Sequence, residues 1–291
     1  MLATLLAAVL SAENFEVVGY LPDYRLAGWV ADGGHPNRDV VTMLVAFQVT
    51  PADDGSLADS IPPEQITAYH EAAESSNASL AVCVGGWGNS DTFRAVVGDA
   101  ALRKRLLDSV AALGFNTVDF DWEYPETAAD WDGYVTLLRE ASARFNGTVS
   151  VALPPGRPTP SELFDVVDRV HLMSYDHGYP QATLAKSIAD VDGMLAAGCP
   201  PEKLVLGVPF YGRREDRGAI SFRDLPLVIG DIAPTGEAFN NRETLAAKVR
   251  LARMCGLAGI MIWELGQDRR DERALLATIE ETIGKRTGTT K

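Results

Sequence analysis

Eight short runs rich in β-branched and apolar residues recur along this chain, and most gaps between them carry a longer stretch with helical spacing. The runs cover residues 16–20, 40–49, 80–84, 117–122, 148–153, 169–174, 204–208 and 259–263, and helical patterns occupy 63–75, 91–113, 130–145, 161–167, 184–197, 242–255 and 271–283. A strand followed by a helix returns the chain to the same end of the sheet, so this rhythm makes successive strands parallel. From residue 80 onward the runs are mostly apolar on both faces, as a parallel sheet covered by helices requires. Eight such units in 291 residues fit an α/β fold, a closed (β/α)8 TIM barrel. A doubly wound open sheet is the competing arrangement. It would bring a glycine-rich phosphate loop after its first strand, and Tyr20-Leu21-Pro22-Asp23 is not one. Thr183, Asn241 and Asp130 precede or open amphipathic runs and can accept from free helix N–H groups.

The fourth run has an unusual make-up. Asp119, Asp121 and Glu123 alternate with Phe120 and Trp122. A strand sends successive side chains to opposite faces, so the three carboxyls share one face and the two rings the other. Like charges so close repel, and burial penalises each ionised form, so at least one proton is expected to be held near neutrality. An edge strand with a solvated acidic face is the plain alternative. Phe120 and Trp122 behind the acids, and the breaker Pro125 after them, favour a core strand ending at a pocket. Glu123 stands last and nearest the barrel mouth; Asp121 lies about 6–7 Å below it and Asp119 about as far again. Asp119 is expected to be the most buried and to share a proton with Asp121. An Asp121 turned toward Glu123 would hold the proton on Glu123, which then acts as a general acid near neutral pH.

Composition narrows the partners. The formal net charge of -14 repels phosphate backbones and anionic lipid, so neither nucleic acid nor membrane is an expected partner. Cys83, Cys199 and Cys255 lack paired spacing, and His35, His70, His171 and His177 form no HxxxH pattern. No disulfide framework, metal site or cofactor is expected. Residues 1–12 read as a signal peptide or an apolar N-terminal extension, without the basic leader of a typical secretory signal, and residues 13–291 as one catalytic-size domain. On that reading the protein is secreted and acts as a monomer.

Several strand ends carry side chains capable of chemistry: Tyr20, Gln48, Gly85-Gly86-Trp87, Glu123, Met173-Ser174-Tyr175-Asp176, Tyr211 and Trp263-Glu264. In a parallel barrel these ends form one rim, where substrates bind. Aromatics gathered there, with Trp29, Trp87, Trp263, Tyr20, Tyr124, Tyr175 and Tyr211 as candidates, suit sugar rings, whose C–H faces stack on aromatic planes. Trp122 alternates out of phase with the acids and is expected to pack behind the sheet. Trp263 is balanced between barrel filler and sugar platform, and His171 reads as a core histidine.

Together these motifs resemble the glycoside hydrolase family 18 chitinases. The strand-four signature Asp-x-x-Asp-x-Asp-x-Glu is met by Asn116, Asp119, Asp121 and Glu123, with the first acid replaced. Cys83-Val84-Gly85-Gly86 stands for the Ser-x-Gly-Gly motif, and Met173, Tyr175 and Asp176 complete Met-x-Tyr-Asp. Pro209 to Arg213 and Gly259 to Glu264 are similar to the family's last two strand ends, so the likeness runs from about residue 17 to residue 268. The resemblance implies retaining, substrate-assisted hydrolysis of β-1,4 linkages between N-acetylglucosamine units in chitin or chitooligosaccharides. Glu123 would be the acid. Asp121 would orient the substrate's acetamido group, whose oxygen attacks the anomeric carbon, while Asp119 supports Asp121. Tyr175 would hold the acetamido carbonyl, Asp176 would contact the same sugar or tune the acid, and Trp263 would form the floor. Tyr20, Gly86, Trp87, Tyr124, Met173 and Tyr211 would complete the substrate-binding set. An inactive oligosaccharide-binding lectin-like protein and an endo-β-N-acetylglucosaminidase are the alternatives. Asn116 is expected to alter buried hydrogen bonding, and Cys83 removes a hydroxyl near Asp119. The roughly 50 residues from Tyr211 to Trp263 leave no room for a sizeable insertion domain, which implies an open groove and endo-type cleavage.

Overall fold

The computed structural model describes residues 15–216, 218–226 and 230–284; the apolar start at 1–12 lies outside the described residues. Eight parallel strands form the centre: β1 Glu16–Pro22, β2 Met43–Pro51, β3 Ser79–Gly85, β4 Thr117–Asp121, β5 Val149–Leu153, β6 Arg169–Leu172, β7 Leu204–Pro209 and β8 Gly259–Trp263. They pair in sequence order, and β1 pairs with both β2 and β8, so the sheet closes. Helices α1 Asp23–Val30, α2 Pro63–Ser75, α3 Ser90–Gly98, α4 Ala100–Ala111, α5 Ala128–Arg144, α6 Ser161–Val166, α7 Leu184–Ala196, α8 Arg242–Met254 and α9 Leu275–Ile283 lie between or after them. The barrel is the one expected from the alternation of runs.

Three boundary departures from the sequence reading exceed two residues or divide an element. The stretch 91–113 is two helices, because Asp99 leaves helical geometry and its carboxylate accepts from the N–H groups of Ala101 (2.7 Å) and Leu102 (3.1 Å), starting α4 afresh. The second strand begins at Met43, after a 3-10 turn at Arg38–Val40. The last helix begins at Leu275, where buried Asp268 accepts from the N–H groups of Leu275 (2.8 Å) and Leu276 (2.9 Å). Thr183 and Asn241 cap α7 and α8 as expected. Asp130 sits inside α5 as the far half of a capping box opened by Thr127.

Two apolar regions result from the strand alternation. Outward residues meet the helices: Trp122 is fully buried, stacked on Phe93 with ring centres 5.4 Å apart and edge-on to Tyr134 at 5.2 Å. Each such ring contributes about 1.5–3 kcal/mol through burial alone, which anchors β4 from behind. Inward residues fill the barrel: Val18, Tyr20, Met43, Val45, Ala81, Cys83, Ala152, Met173, Val205 and Met261. Between Tyr211 and α8 the described residues form the small antiparallel pair Tyr211–Arg213 and Ala219–Ser221, a 3-10 turn and isolated bridges to Ala238. No insertion domain is present among them. Asn116 is exposed at the N-terminal end of the barrel, so its replacement of an acid does not touch buried hydrogen bonding.

Candidate active site

The carboxyl ends of the strands bring the predicted residues to one end of the barrel. β4 stops at Asp121, so Glu123 stands in the turn just beyond the strand, half-buried, with its backbone carbonyl accepting from the Ser90 hydroxyl. Asp119 and Asp121 are buried below it.

Burial sets the three acids against one another, and their hydrogen-bond partners decide the outcome. For Asp119, burial pushes the carboxyl up, yet attraction to His171 and hydrogen bonds from His171, Ser150 and Tyr20 together hold it below its ordinary value. Tyr20 Oη donates to Oδ2 (2.6 Å) and Ser150 Oγ to Oδ1 (2.6 Å), while His171 Nδ1 lies 3.1 Å from Oδ1. With the Tyr20 hydrogen committed to Asp119, its oxygen, 2.9 Å from His171 Nδ1, can only accept, which places a proton on that ring nitrogen. Asp119 is therefore the charged member, not a sharer of Asp121's proton. Asp121 is driven well above its ordinary value by burial first, then by the charges of Glu123 and Asp119, and its Oδ1 is buried without a hydrogen-bond partner. Glu123 is also raised, mainly by burial; a hydrogen bond from Tyr124 opposes this and the charge of Asp176 adds to it. The column thus runs from a carboxyl held low at the floor to two whose proton affinity is raised nearer the mouth.

Aromatic and polar side chains from the other strands surround this column. Trp263 is half-buried at the end of β8, edge-on to Phe47 at 4.6 Å and 5.7 Å from Tyr20. Tyr175 is half-buried with Oη 3.8 Å from the sulfur of Met261. Asp176 is exposed in left-handed backbone geometry (φ 59°). Its carboxylate accepts from Tyr211 Oη (2.9 Å) and from Arg213 Nε (2.5 Å) and Nη2 (2.7 Å). Tyr124 lies half-buried beside Glu123, with the exposed Arg157 guanidinium 4.3 Å above its ring. Gly86, with φ 92°, carries no side chain because a Cβ would lie 1.9 Å from Gln48 Oε1. Its N–H donates to the Asp121 carbonyl (2.8 Å), tying β3 to β4 at the acids. Trp87 projects outward, 78% exposed.

Some expected mouth residues lie elsewhere. Tyr20 is 2% exposed and sits under the site, as a donor to Asp119 and a neighbour of Trp263. Met173 and Tyr211 are buried too, Met173 as barrel filler and Tyr211 as a partner of Asp176. Trp29 is buried on α1 and stacked on His35 at 5.3 Å, away from the rim, because helical spacing turns it into the core. Glu264 is buried in an ion pair with Arg25 (3.0 Å) and caps the turn after β8. Sequence reasoning missed Ser150 and the role of His171, since both are ordinary inside a strand. It also missed Tyr24, 70% exposed directly after β1, and the Arg213 clamp on Asp176.

No cluster of three or more His, Cys, Asp or Glu side chains among the described residues is arranged to hold a metal ion, and no helix among them is long and apolar enough to cross a membrane. Chitinase 1 of Aphanocladium album is 24% identical over 284 residues, covering 73% of this chain and 67% of that protein. Among solved structures, a chitinase from Bacteroides thetaiotaomicron superposes with a TM-score of 0.81 at 19% identity, covering 95% of this chain and 98% of that one. A mutant GH18 chitinase from Cycas revoluta in complex with (GlcNAc)4 gives 0.75 at 23% identity, over 92% of this chain and all of that one. The family model described as glycosyl hydrolases family 18 matches residues 17–222, the part that carries the acid column and the Tyr175–Asp176 pair, and the chain belongs to that family of glycoside hydrolases.

Proposed function

We propose that this enzyme hydrolyses β-1,4 linkages between N-acetylglucosamine units of chitin or chitooligosaccharides, with retention and with the substrate's acetamido group as nucleophile. The carrying observation is the geometry of the acid column: Asp119 at the floor with Tyr20, Ser150 and His171 against it, Asp121 above it with a buried, unpartnered Oδ1, and Glu123 half-buried just beyond the strand. Glu123, half-buried next to Tyr124, keeps a proton to give to the glycosidic oxygen as the bond breaks. The acetamido oxygen attacks the anomeric carbon to form an oxazolinium ion. Because the nucleophile arrives with the sugar, no second carboxylate is needed across the ring. Asp121 receives the acetamido N–H at its unpartnered Oδ1, and its proton affinity falls as positive charge develops beside it. Asp119 supports it from below with a fixed charge. Tyr175 Oη holds the acetamido oxygen, Trp263 supplies the floor, and Asp176 contacts the same sugar from the far side. Water then opens the oxazolinium with Glu123 as base.

The segment after β7 carries only a short antiparallel pair among the described residues, and a groove left open there would favour cleavage within chains. Trp87 and Tyr24, exposed after β3 and β1, offer stacking faces to outlying sugars. Secretion and action as a monomer accompany this reading. The similarity to Chitinase 1 of Aphanocladium album and to the Cycas revoluta chitinase bound to (GlcNAc)4 supports the substrate class. Incubation with soluble chitooligosaccharides, with Glu123→Gln alongside, tests it. Cleavage with retained anomeric configuration, abolished by the substitution, is the expected result. Binding without cleavage would leave a lectin-like protein, and cleavage surviving Glu123→Gln would refute the assignment.

A further inference from the structure

Lys248 is the largest charged side chain buried completely among the described residues, and the proposed reaction does not use it. It sits on α8 with Nζ 2.6 Å from the carbonyl of Ala182, and the buried Asn240 amide donates to the same carbonyl at 2.8 Å. An unpaired buried ammonium costs several kcal/mol, so burial pushes the Lys248 amine down to about 7, and a methionine would fill the space without that penalty. Asp190 and Asp231 act on the lysine only from a distance, among the described residues, with no carboxylate within salt-bridge range. Among the described residues the donor's one hydrogen-bonded target is the Ala182 carbonyl.

That carbonyl belongs to the loop between β6 and α7, with Ala182 in left-handed geometry (φ 48°). The next residue back, Gln181, is 2% exposed and braces the site directly: Nε2 donates to the Tyr211 carbonyl (3.2 Å) and Oε1 accepts from the Asp176 N–H (3.3 Å). Tyr211 in turn donates to the Asp176 carboxylate. We infer that Lys248 and Asn240 are positioning residues for the Asp176–Tyr211 pair, acting through Ala182 and Gln181 from outside the barrel. This rests on the hydrolase reading above, and it assigns to a buried helix lysine the placement of a carboxylate that faces the sugar.

The charge of Asp176 is one of the influences that raise Glu123, together with burial and against the hydrogen bond from Tyr124, while Tyr211 and Arg213 face Asp176 itself. A loosened Asp176 therefore changes the chemistry in a recognisable way: Glu123 loses its proton at lower pH. The test is steady-state hydrolysis of a soluble chitooligosaccharide by the full chain across pH, for wild type, Lys248→Met, Asn240→Ala and Val249→Ala. Val249 is a buried core residue of the same helix outside the clamp. Lys248→Met is expected to lower kcat/KM about tenfold, the scale of a sub-ångström misplacement, and to move the basic limb of the profile to lower pH. Asn240→Ala should do the same to a smaller extent. Since Asn240 does not titrate, its shift separates movement of the loop from loss of the lysine's own proton, and it decides the matter if Lys248→Met fails to fold. Val249→Ala should lower Tm and leave the profile in place. Folded Lys248→Met and Asn240→Ala enzymes with wild-type kcat, KM and pH limb would overturn the inference, as would a Val249→Ala profile that moves equally. A wild type that does not cleave at all would instead overturn the hydrolase reading.

Discussion

Tyr20→Phe removes one oxygen from the floor of the site and almost nothing else. The ring stays, with its contacts to Trp263 at 5.7 Å and Phe47 at 6.1 Å, so no cavity opens in the barrel. What is lost is the 2.6 Å hydrogen bond to Asp119 Oδ2, a neutral donor to a buried carboxylate, and with it the oxygen that faces His171 Nδ1 at 2.9 Å, whose proton keeps Asp119 Oδ1 as its partner at 3.1 Å. Bonds to a charged group contribute about 1.5–3 kcal/mol. Ser150 and His171 remain on the other oxygen, which points to the lower half of that range. For a domain of this size each kcal/mol is roughly 2–4 °C in Tm, so a fall of roughly 3–8 °C is expected at pH 7. The pH dependence carries a definite sign. Asp119's folded pKa is depressed despite its burial, so its contribution is full above the unfolded carboxylate pKa and is lost as pH falls through the folded value. The gap between wild type and Tyr20→Phe should therefore be widest near neutrality and close as the acid range is entered. Thermal melts of both proteins from pH 7 down to pH 3 measure it. A Tm within about 1 °C of wild type at pH 7, or a deficit that persists unchanged at pH 3, would refute the claim that Asp119 is the ionised member of the column.

Asp121→Asn should separate stability from activity. The folded pKa of Asp121 is raised, chiefly by burial, so the wild type loses stability as pH rises toward that folded value; the amide removes this and should raise Tm at neutral pH, with the gain shrinking toward pH 4. Its kcat on chitooligosaccharides should fall by roughly 10²–10³, the scale of one lost transition-state partner, and unchanged turnover would count against the proposed role. Trp87→Ala should leave Tm within about 1 °C because the ring is 78% exposed, while raising KM for long oligosaccharides roughly two- to tenfold, the value of one aromatic stacking contact. An equal effect on the shortest cleavable substrate would place Trp87 elsewhere than on the outlying subsites.

Legibility in the sequence followed the range of the forces involved. The barrel could be read because two-faced apolar strands such as Val149–Leu153 and caps such as Thr183 and Asn241 are local signals. Trp122 behind the sheet followed from simple alternation with Asp121. The break at Asp99 was hidden because Val96, Val97, Leu106 and Leu107 keep an apolar periodicity on both sides of it. Trp29 read as a mouth aromatic because its residue type was legible and its helical phase was not. Tyr20 was found but given the wrong depth: a tyrosine ending a strand reads as rim, and only the packed barrel shows its hydroxyl turned down onto Asp119.

A raised Glu123 could be read from the acid run, but the low proton affinity of Asp119 could not, and the reason lies in sequence separation. On one strand, three carboxyls of nearly equal intrinsic acidity differ only in who donates to them. The donors to Asp119 come from Tyr20, Ser150 and His171, on β1, β5 and β6, and the closed barrel alone brings them to one carboxylate. Once Asp119 is fixed as an anion, Asp121 directly above it has no equivalent set of donors, and the charge below it makes ionisation harder still. A protonated Asp121 in turn relieves Glu123 of a second neighbouring anion and leaves it able to ionise and regain its proton within one cycle. The middle acid is thus tuned from both ends of the column, after burial, by Glu123 above it and the anion below it, while Glu123 itself answers mainly to burial, with the Tyr124 hydrogen bond and the Asp176 charge acting in opposite directions.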